Sequence, residues 1–248
     1  MNLLQDKVCL ITGANRGIGR ETAKRFAEEG AVLYVNARRE GTLDELMEEI
    51  TTGYHVDCHA LYFDVTDEAA SKEAMMTIKK EHGGLDVLVN NAGIMRDKVI
   101  GMIETELMRD VFDVNVFAVI HMIQLAAKLM VRRRSGCIIN VSSIAGLEGA
   151  AGQLVYSSSK GAVAALTRAA SKELASSGIR VNAVAPGLIN TDLLQNIGDE
   201  KIDENLKHIK MGRLGEPVEV ANVIVFLASD LSGYMSGEVI RIDGEAQV

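Results

Sequence analysis

A doubly wound α/β architecture on one parallel sheet is the fold class this sequence predicts, and three observations predict it. Short runs rich in branched residues occur at 8–11, 32–35, 59–63, 87–90, 137–141, 180–185 and 239–242 of the 248 residues. The stretches between them carry helical patterns, so successive strands are joined by crossovers, which makes the sheet parallel with helices on both faces. Gly, Asn or Ser follows several of these runs, at the carboxyl ends where doubly wound sheets bind their ligands.

Composition agrees with a packed domain. Hydrophobic residues make up 48% and charged residues 24% of the chain, enough apolar material for a sizeable core, and the two prolines exclude a Pro-rich architecture. A formal charge of −8, from 34 acidic and 26 basic residues, argues against a sequence-independent nucleic-acid partner, which would need a basic surface. Cys9, Cys58 and Cys137 are odd in number, far apart and lack C-x-x-C spacing, so they read as small buried hydrophobes rather than a disulfide or metal framework. The apolar run 8–11 is too short for an export signal, and the expected location is cytoplasmic. The stretch 114–130 is interrupted by Asn115, His121, Gln124 and Lys128, which marks a buried or interfacial helix rather than a membrane span. With no linker and no repeat, residues 1–248 are expected to form one domain. The polar segment 190–215 is longer than a tight connection and reads as a substrate lid; a solvated surface helix is the alternative.

The elements carry chemistry in order. After the first strand, Thr12-Gly13-Ala14-Asn15-Arg16-Gly17-Ile18-Gly19 opens a helix whose apolar Ile18, Phe26 and Ala27 share one face. Glycines there let the chain turn sharply and let a pyrophosphate approach the free N–H groups and positive dipole of a helix start. The spacing is G-x-x-x-G-x-G rather than G-x-G-x-x-G, and a purely structural turn is the competing reading. Further along, Tyr156 and Lys160 stand four residues apart at a helix start, on one face, which brings an ammonium near a phenol. A cation favours the phenolate, and moving a tyrosine from about 10 toward neutrality takes about 3–4 kcal/mol of differential stabilisation.

Together these motifs resemble the short-chain dehydrogenase/reductase family, over nearly the whole chain. Asp64-Val65 is similar to the family's adenine-contacting element and Asn90-Asn91-Ala92-Gly93 to its fourth-strand signature, while Asn115 lies in the long helix that holds the family's catalytic Asn. Val141-Ser142-Ser143, Tyr156-Ser157-Ser158-Ser159-Lys160 and Pro186-Gly187 with Ile189 and Thr191 complete the likeness. The resemblance implies a Rossmann fold and four catalytic residues. Ser143 orients a substrate carbonyl, Tyr156 protonates its oxygen, Lys160 holds the nicotinamide ribose and tunes Tyr156, and Asn115 supports a water between Lys160 and solvent. Ser142 rivals Ser143 on local sequence, and only the family's spacing to the tyrosine selects Ser143. An amide capping backbone at a helix irregularity is the plain reading of Asn115.

The resemblance also frames the cofactor. NAD-selective relatives carry a carboxylate at the end of the second strand, whereas here Val35-Asn36-Ala37-Arg38-Arg39 has Ala37 at the aligned place, followed by Arg38, with Arg16 in the glycine loop as a further cation. Guanidinium groups suit the 2'-phosphate of NADP, so NADPH is the expected cofactor; a solvated turn around Arg38 and Arg39 is the alternative. Residues 93–98, 132–136 and 211–217 are most similar to the family branch that reduces 3-oxoacyl thioesters on acyl carrier protein in bacterial fatty-acid synthesis. Arg132, Arg133 and Arg134 then offer a docking patch for an acidic carrier, against the plain reading of a solvated helix end. Two positions depart from that branch: Ser176-Ser177 stands where a second basic contact is expected, and Asp243-Gly244-Glu245 replaces a usual second glycine. A reductase of free small ketones or alcohols and a non-catalytic NADPH sensor are the competing functions. The resemblance implies a homotetramer, to which the apolar helix 111–130 and the alanine-rich helix 161–175 give a physical reason, since helices small or apolar nearly all round need cover on a second side.

Overall fold

The computed structural model describes residues 2–191 and 206–246. Seven strands, β1 (Val8–Ile11), β2 (Val32–Ala37), β3 (Cys58–Tyr62), β4 (Val87–Asn90), β5 (Gly136–Val141), β6 (Ile179–Pro186) and β7 (Val239–Ile242), form one parallel sheet in the order β3-β2-β1-β4-β5-β6-β7. All the runs expected from sequence are strands, with ends moved by a residue or two. β2 runs on to Ala37 because Asn36 and Ala37 pair with Leu61 and Tyr62 of β3.

Alternation along the strands sorts the core onto two faces. Cys9, Ile11, Val35, Val89, Ile139 and Val184 meet α1 (Gly17–Glu28), α2 (Asp44–Gly53) and α8 (Pro217–Ala228) on one side. Leu10, Tyr34, Leu88, Ile138 and Val181 meet α3 (Glu68–His82), α5 (Ala118–Arg133) and α7 (Leu154–Leu174) on the other. Local chemistry sets the helix ends. Asp67 accepts the Ala70 N–H at the start of α3 and Gly83 closes it in the left-handed region, while Pro217 and a Glu216/Glu219 capping box start α8.

The helical run Thr105–Arg133 is, among the described residues, the one long and apolar enough to cross a membrane by length and composition, and half of its most apolar window is buried in this fold. It is not uniform: α4 (Thr105–Phe112) passes through a π-turn, Asp113–Phe117, into α5. That turn carries Asn115, fully buried.

Candidate active site

The carboxyl ends of the strands open into a cavity of about 770 Å³, within the size range of cofactor and small-molecule sites. It lies where strand order reverses between β1 and β4, the switch point at which loops diverge and leave a crevice. A second cavity of about 410 Å³ lies at the opposite edge of the sheet, where Lys7 pairs with Asp230 at 2.8 Å, Asp86 pairs with Arg133 at 2.7 Å, and Arg180 donates to the Leu227 and Ser229 carbonyls.

One end of the larger cavity is made of interlocked backbone. Gly13 and Gly17 adopt φ of 64° and 56°, which only glycine takes without strain, and α1 begins at Gly17 with its first N–H groups toward the cavity end of β1. A Cβ on Gly13 would stand 2.9 Å from the Ala92 Cα, and one on Gly19 would stand 2.3 Å from the Gly13 carbonyl oxygen. The Asn91 amide donates to the Thr12 and Gly13 carbonyls at 2.9 Å each, and the Thr12 hydroxyl accepts from the Asn91 and Ala92 N–H groups at 3.0 Å. Two loops from neighbouring strands thus hold each other without any long side chain. Asn15, Arg16, Ile18, Arg38, Arg39, Asp64 and Val65 line the outer part of this end, and Pro186, Gly187, Ile189 and Thr191 border it from β6, with Thr191 3.2 Å from a Cβ built on Gly17. This glycine cradle at a helix start fits the diphosphate of a nicotinamide dinucleotide, and guanidinium groups stand at its outer rim.

The other end gathers the polar side chains. Lys160, 5% exposed on α7, donates to the Val141 carbonyl at 2.8 Å, and its Nζ lies 5.9 Å from the Tyr156 ring centre. Burial draws this ammonium down to about 8. Burial also pushes the Tyr156 phenol above its usual range, opposed by a hydrogen bond with the Ser143 hydroxyl and reinforced by the Asp97 carboxylate. The expected depression of Tyr156 by Lys160 is therefore not what the protein alone produces: burial, with Asp97 behind it, raises the phenol, and the group that opposes it is Ser143. Ser142 and Ser143 part company here. The Ser142 hydroxyl is buried and donates to the Lys160 carbonyl at 2.8 Å, fastening β5 to α7, whereas Ser143 reaches Tyr156.

Asn115 and Gly19 lie outside the cavity wall. The Asn115 amide brackets Ile94, accepting its N–H and donating to its carbonyl at 2.9 Å each, and donates to Ser159 Oγ at 3.0 Å. Gly19 serves the close packing of the loop rather than the lining, because the Gly13 carbonyl fills the space in front of it. Ala37 is buried in the core, and the side chains facing the cavity at this strand end are Asn36, Arg38 and Arg39. Of the lid expected over 190–215, residues 192–205 lie outside the described residues, and its base is closed by the Asn190 N–H donating to the Gly215 carbonyl at 2.8 Å. The three arginines stand at the amino edge of the sheet, opposite the cavity: Arg133 pairs with Asp86, and Arg134 donates to the Ser176 carbonyl.

Sequence reasoning missed the positioning roles of several residues, including Asn36 and Asn90, which it had named only as parts of longer runs. The Asn36 amide donates to the Leu61 and Phe63 carbonyls while its Oδ1 accepts the Gly13 N–H, tying β1, β2 and β3 under the glycine loop. Asn90 donates to Asn140, and Asn140 to Thr167, a buried polar chain from β4 through β5 to α7. The signal available was a polar residue inside or ending an apolar strand, which is costly to bury unless fully bonded.

Residues 13–244 match the family profile described as Enoyl-(Acyl carrier protein) reductase. The chain is 42% identical over 241 residues to the 3-oxoacyl-acyl-carrier-protein reductase of Thermotoga maritima, covering 97% of this chain and 98% of that one. It is 37% identical over 244 residues to the enzyme of the same name from Vibrio harveyi, covering 97% of each. Among solved structures, a provisionally named short-chain alcohol dehydrogenase from Sinorhizobium meliloti 1021 superposes with a TM-score of 0.93 at 33% identity, covering 97% of this chain and 96% of that one.

Proposed function

The chain belongs to the short-chain dehydrogenase/reductase family, and from that premise we propose that it reduces 3-oxoacyl thioesters on acyl carrier protein to 3-hydroxyacyl thioesters with NADPH. It is an oxidoreductase of C=O and CH–OH groups. The observation that carries the finer reading is the meeting of Ser143, Tyr156 and Lys160 at one end of a cavity whose other end is a glycine cradle rimmed by Arg16, Arg38 and Arg39.

Gly13, Asn15, Arg16, Gly17, Ile18, Arg38, Asp64, Val65, Asn91, Ala92, Gly93, Pro186, Gly187, Ile189 and Thr191 hold the dinucleotide in this reading. Held by these residues, a nicotinamide would supply the hydride that the carbonyl carbon accepts. Ser143 donates a hydrogen bond to the substrate oxygen and Tyr156 delivers a proton to it, so C=O becomes CH–OH. The elevated titration of Tyr156 suits a proton donor, which must enter the reaction protonated. Lys160 holds the ribose and returns a proton to Tyr156. Asn115 fixes Ile94 and Ser159 beneath them, and the family-implied water between Lys160 and solvent belongs to the same proposal.

The names of the relatives support the carrier-bound substrate, and the exposed Phe117 and Ile120 on the π-turn and α5 support homotetramer assembly through that helix. Arg132 to Arg134 serve the cavity only if a twofold pairing brings one subunit's helix end beside its partner's site. The decisive experiment follows NADPH oxidation with acetoacetyl, crotonyl and free-ketone substrates. We expect acetoacetyl thioesters to be reduced and Tyr156→Phe to lower kcat/KM at least about 100-fold with cofactor affinity within a few fold, the size of a lost general acid. Reduction of crotonyl but not acetoacetyl thioester would overturn the reading in favour of enoyl reduction.

A further inference from the structure

The loop after β4 brings a carboxylate to the substrate side of the cavity. Asp97 lines it with Ile94, Met95 and Gln153, and is exposed to solvent. It is held in place rather than loose. Gln153 Nε2 donates to the Asp97 carboxylate at 3.1 Å, and the Lys98 N–H donates to the Gly152 carbonyl at 2.9 Å. On the other flank Arg96 pairs with Asp110 of α4 at 2.8 Å, so the strap is anchored on both sides of Asp97. Gln153 immediately precedes α7 and accepts the Ser157 N–H at 2.7 Å, which stitches the carboxylate to the turn of helix that presents Tyr156. The proton transfer proposed above gives this charge no part: Ser143 and Tyr156 serve the substrate oxygen, and Lys160 is the only cation among the reacting side chains.

We propose that Asp97 is a specificity-determining residue: its fixed negative charge beside Tyr156 turns away 3-oxo substrates that carry a free carboxylate and admits neutral esters and thioesters. A 3-oxo acid and its ester differ at one position two carbons from the reacting carbonyl, so the ester places a neutral group where the acid places an anion. Repulsion between like charges in a partly desolvated cavity raises the cost of binding the acid and leaves the ester untouched. The carboxylate also acts through space on Tyr156 and helps keep the phenol protonated, which serves reduction. The inference rests on carbonyl reduction at Tyr156 but not on a carrier-bound substrate.

The test compares ethyl acetoacetate with acetoacetate, two small 3-oxo compounds that share the reacting carbonyl and differ in the ester group and the charge, in the full-length enzyme with NADPH; the size difference cancels when the ratio is compared between wild type and variant. Asp97→Asn keeps an acceptor for Gln153 and removes only the charge. We expect the kcat/KM ratio of ester to acid to fall about 3–10-fold in Asp97→Asn, as one partly screened charge contact allows. The alkaline limb of the pH profile should move to lower pH for both substrates. In the wild-type enzyme the same ratio should shrink at high ionic strength, because screening weakens the repulsion. Asp97→Ser is the second variant should the first fail to fold. An unchanged ratio, or equal gain or loss on both compounds, assigns Asp97 a merely structural role and overturns the proposal. Reduction of ethyl acetoacetate without any of acetoacetyl thioester sinks the carrier-bound reading while leaving the Asp97 ratio to be read; reduction of the thioester but of neither small compound overturns the Asp97 proposal and leaves the carrier-bound reading standing.

Discussion

The two ends of the cavity are built by different means. At the end bordered by β1 and β2, loops interlock through glycines, backbone groups and short amides, with contacts so close that a single Cβ would collide with a carbonyl oxygen. At the end bordered by the loops after β4 and β5, side chains reach across solvent-facing gaps, Gln153 to Asp97 and Arg96 to Asp110, and Val99, Ile100, Met102, Leu147 and Leu154 are left exposed. Packed backbone has few ways to relax, whereas bridging side chains can be exchanged without moving the chain. An invariant ligand belongs at the first end and a variable one at the second, and substitutions should abolish function at one and retune it at the other.

The largest effect should come from adding one methyl group to the rigid end. Gly19→Ala forces the new Cβ against the Gly13 carbonyl, and we expect a stability loss of about 1–3 kcal/mol with dinucleotide affinity reduced on the order of 100-fold. Denaturant unfolding and cofactor titration check both. A variant with wild-type values would show that this end relaxes as easily as the other and would erase the contrast.

Lys160 stands at the seam, and its effect is on stability rather than specificity. Its titration falls from 10.5 to about 8 by burial, so between those values the unfolded chain binds the extra proton and unfolding free energy rises with pH. Below pH 8 the penalty for burying the ammonium is fully present. Lys160→Met should therefore stabilise the cofactor-free protein at pH 7 by about 2 kcal/mol, after allowing for the lost hydrogen bond to Val141, and the gain should fade between pH 8 and 10.5. Urea midpoints at pH 7 and pH 10.5 measure it; an equal gain at both would mean that packing, not charge, is responsible.

The smallest effect sharpens the comparison from within the rigid end. Arg38 is 66% exposed at the rim and 3.9 Å from Asp64, a long and solvated pairing. Arg38→Ser should leave folding unchanged and lower the preference for NADPH over NADH by about 10-fold, the size of one charge-assisted contact near solvent. Competition titration with the two cofactors decides it, and an unaltered ratio would move selectivity to Arg39 or Arg16. The position first aligned with the acid of NAD-selective relatives, Ala37, faces the core and is a poor place to engineer it.

Much of this molecule was legible before folding was considered. Strand positions followed from branched runs, and the parallel sheet from the helices between them, because both are local properties that tertiary packing here reinforces. Tyr156 and Lys160 were legible as a pair because helical periodicity fixes which residues share a face. The sequence by itself also determined that the glycine loop opens a helix, since turn and cap chemistry acts within a few residues.

What only the tertiary structure decided are the relations between distant segments. Whether Ser142 or Ser143 faces Tyr156 depends on which hydroxyl the Lys160 carbonyl claims, a contact across 18 residues. That Arg132 to Arg134 lie at the far edge of the sheet from the cavity depends on strand direction and not on their charge. Asp97 and Gln153 stand 56 residues apart, and although Asp97 lies in the stretch 93–98, no local pattern pairs it with Gln153. Charge and burial act through space: the titration of Tyr156 and Lys160 was set by desolvation, a quantity with no counterpart along the chain until the sheet, the π-turn and α7 had closed around them.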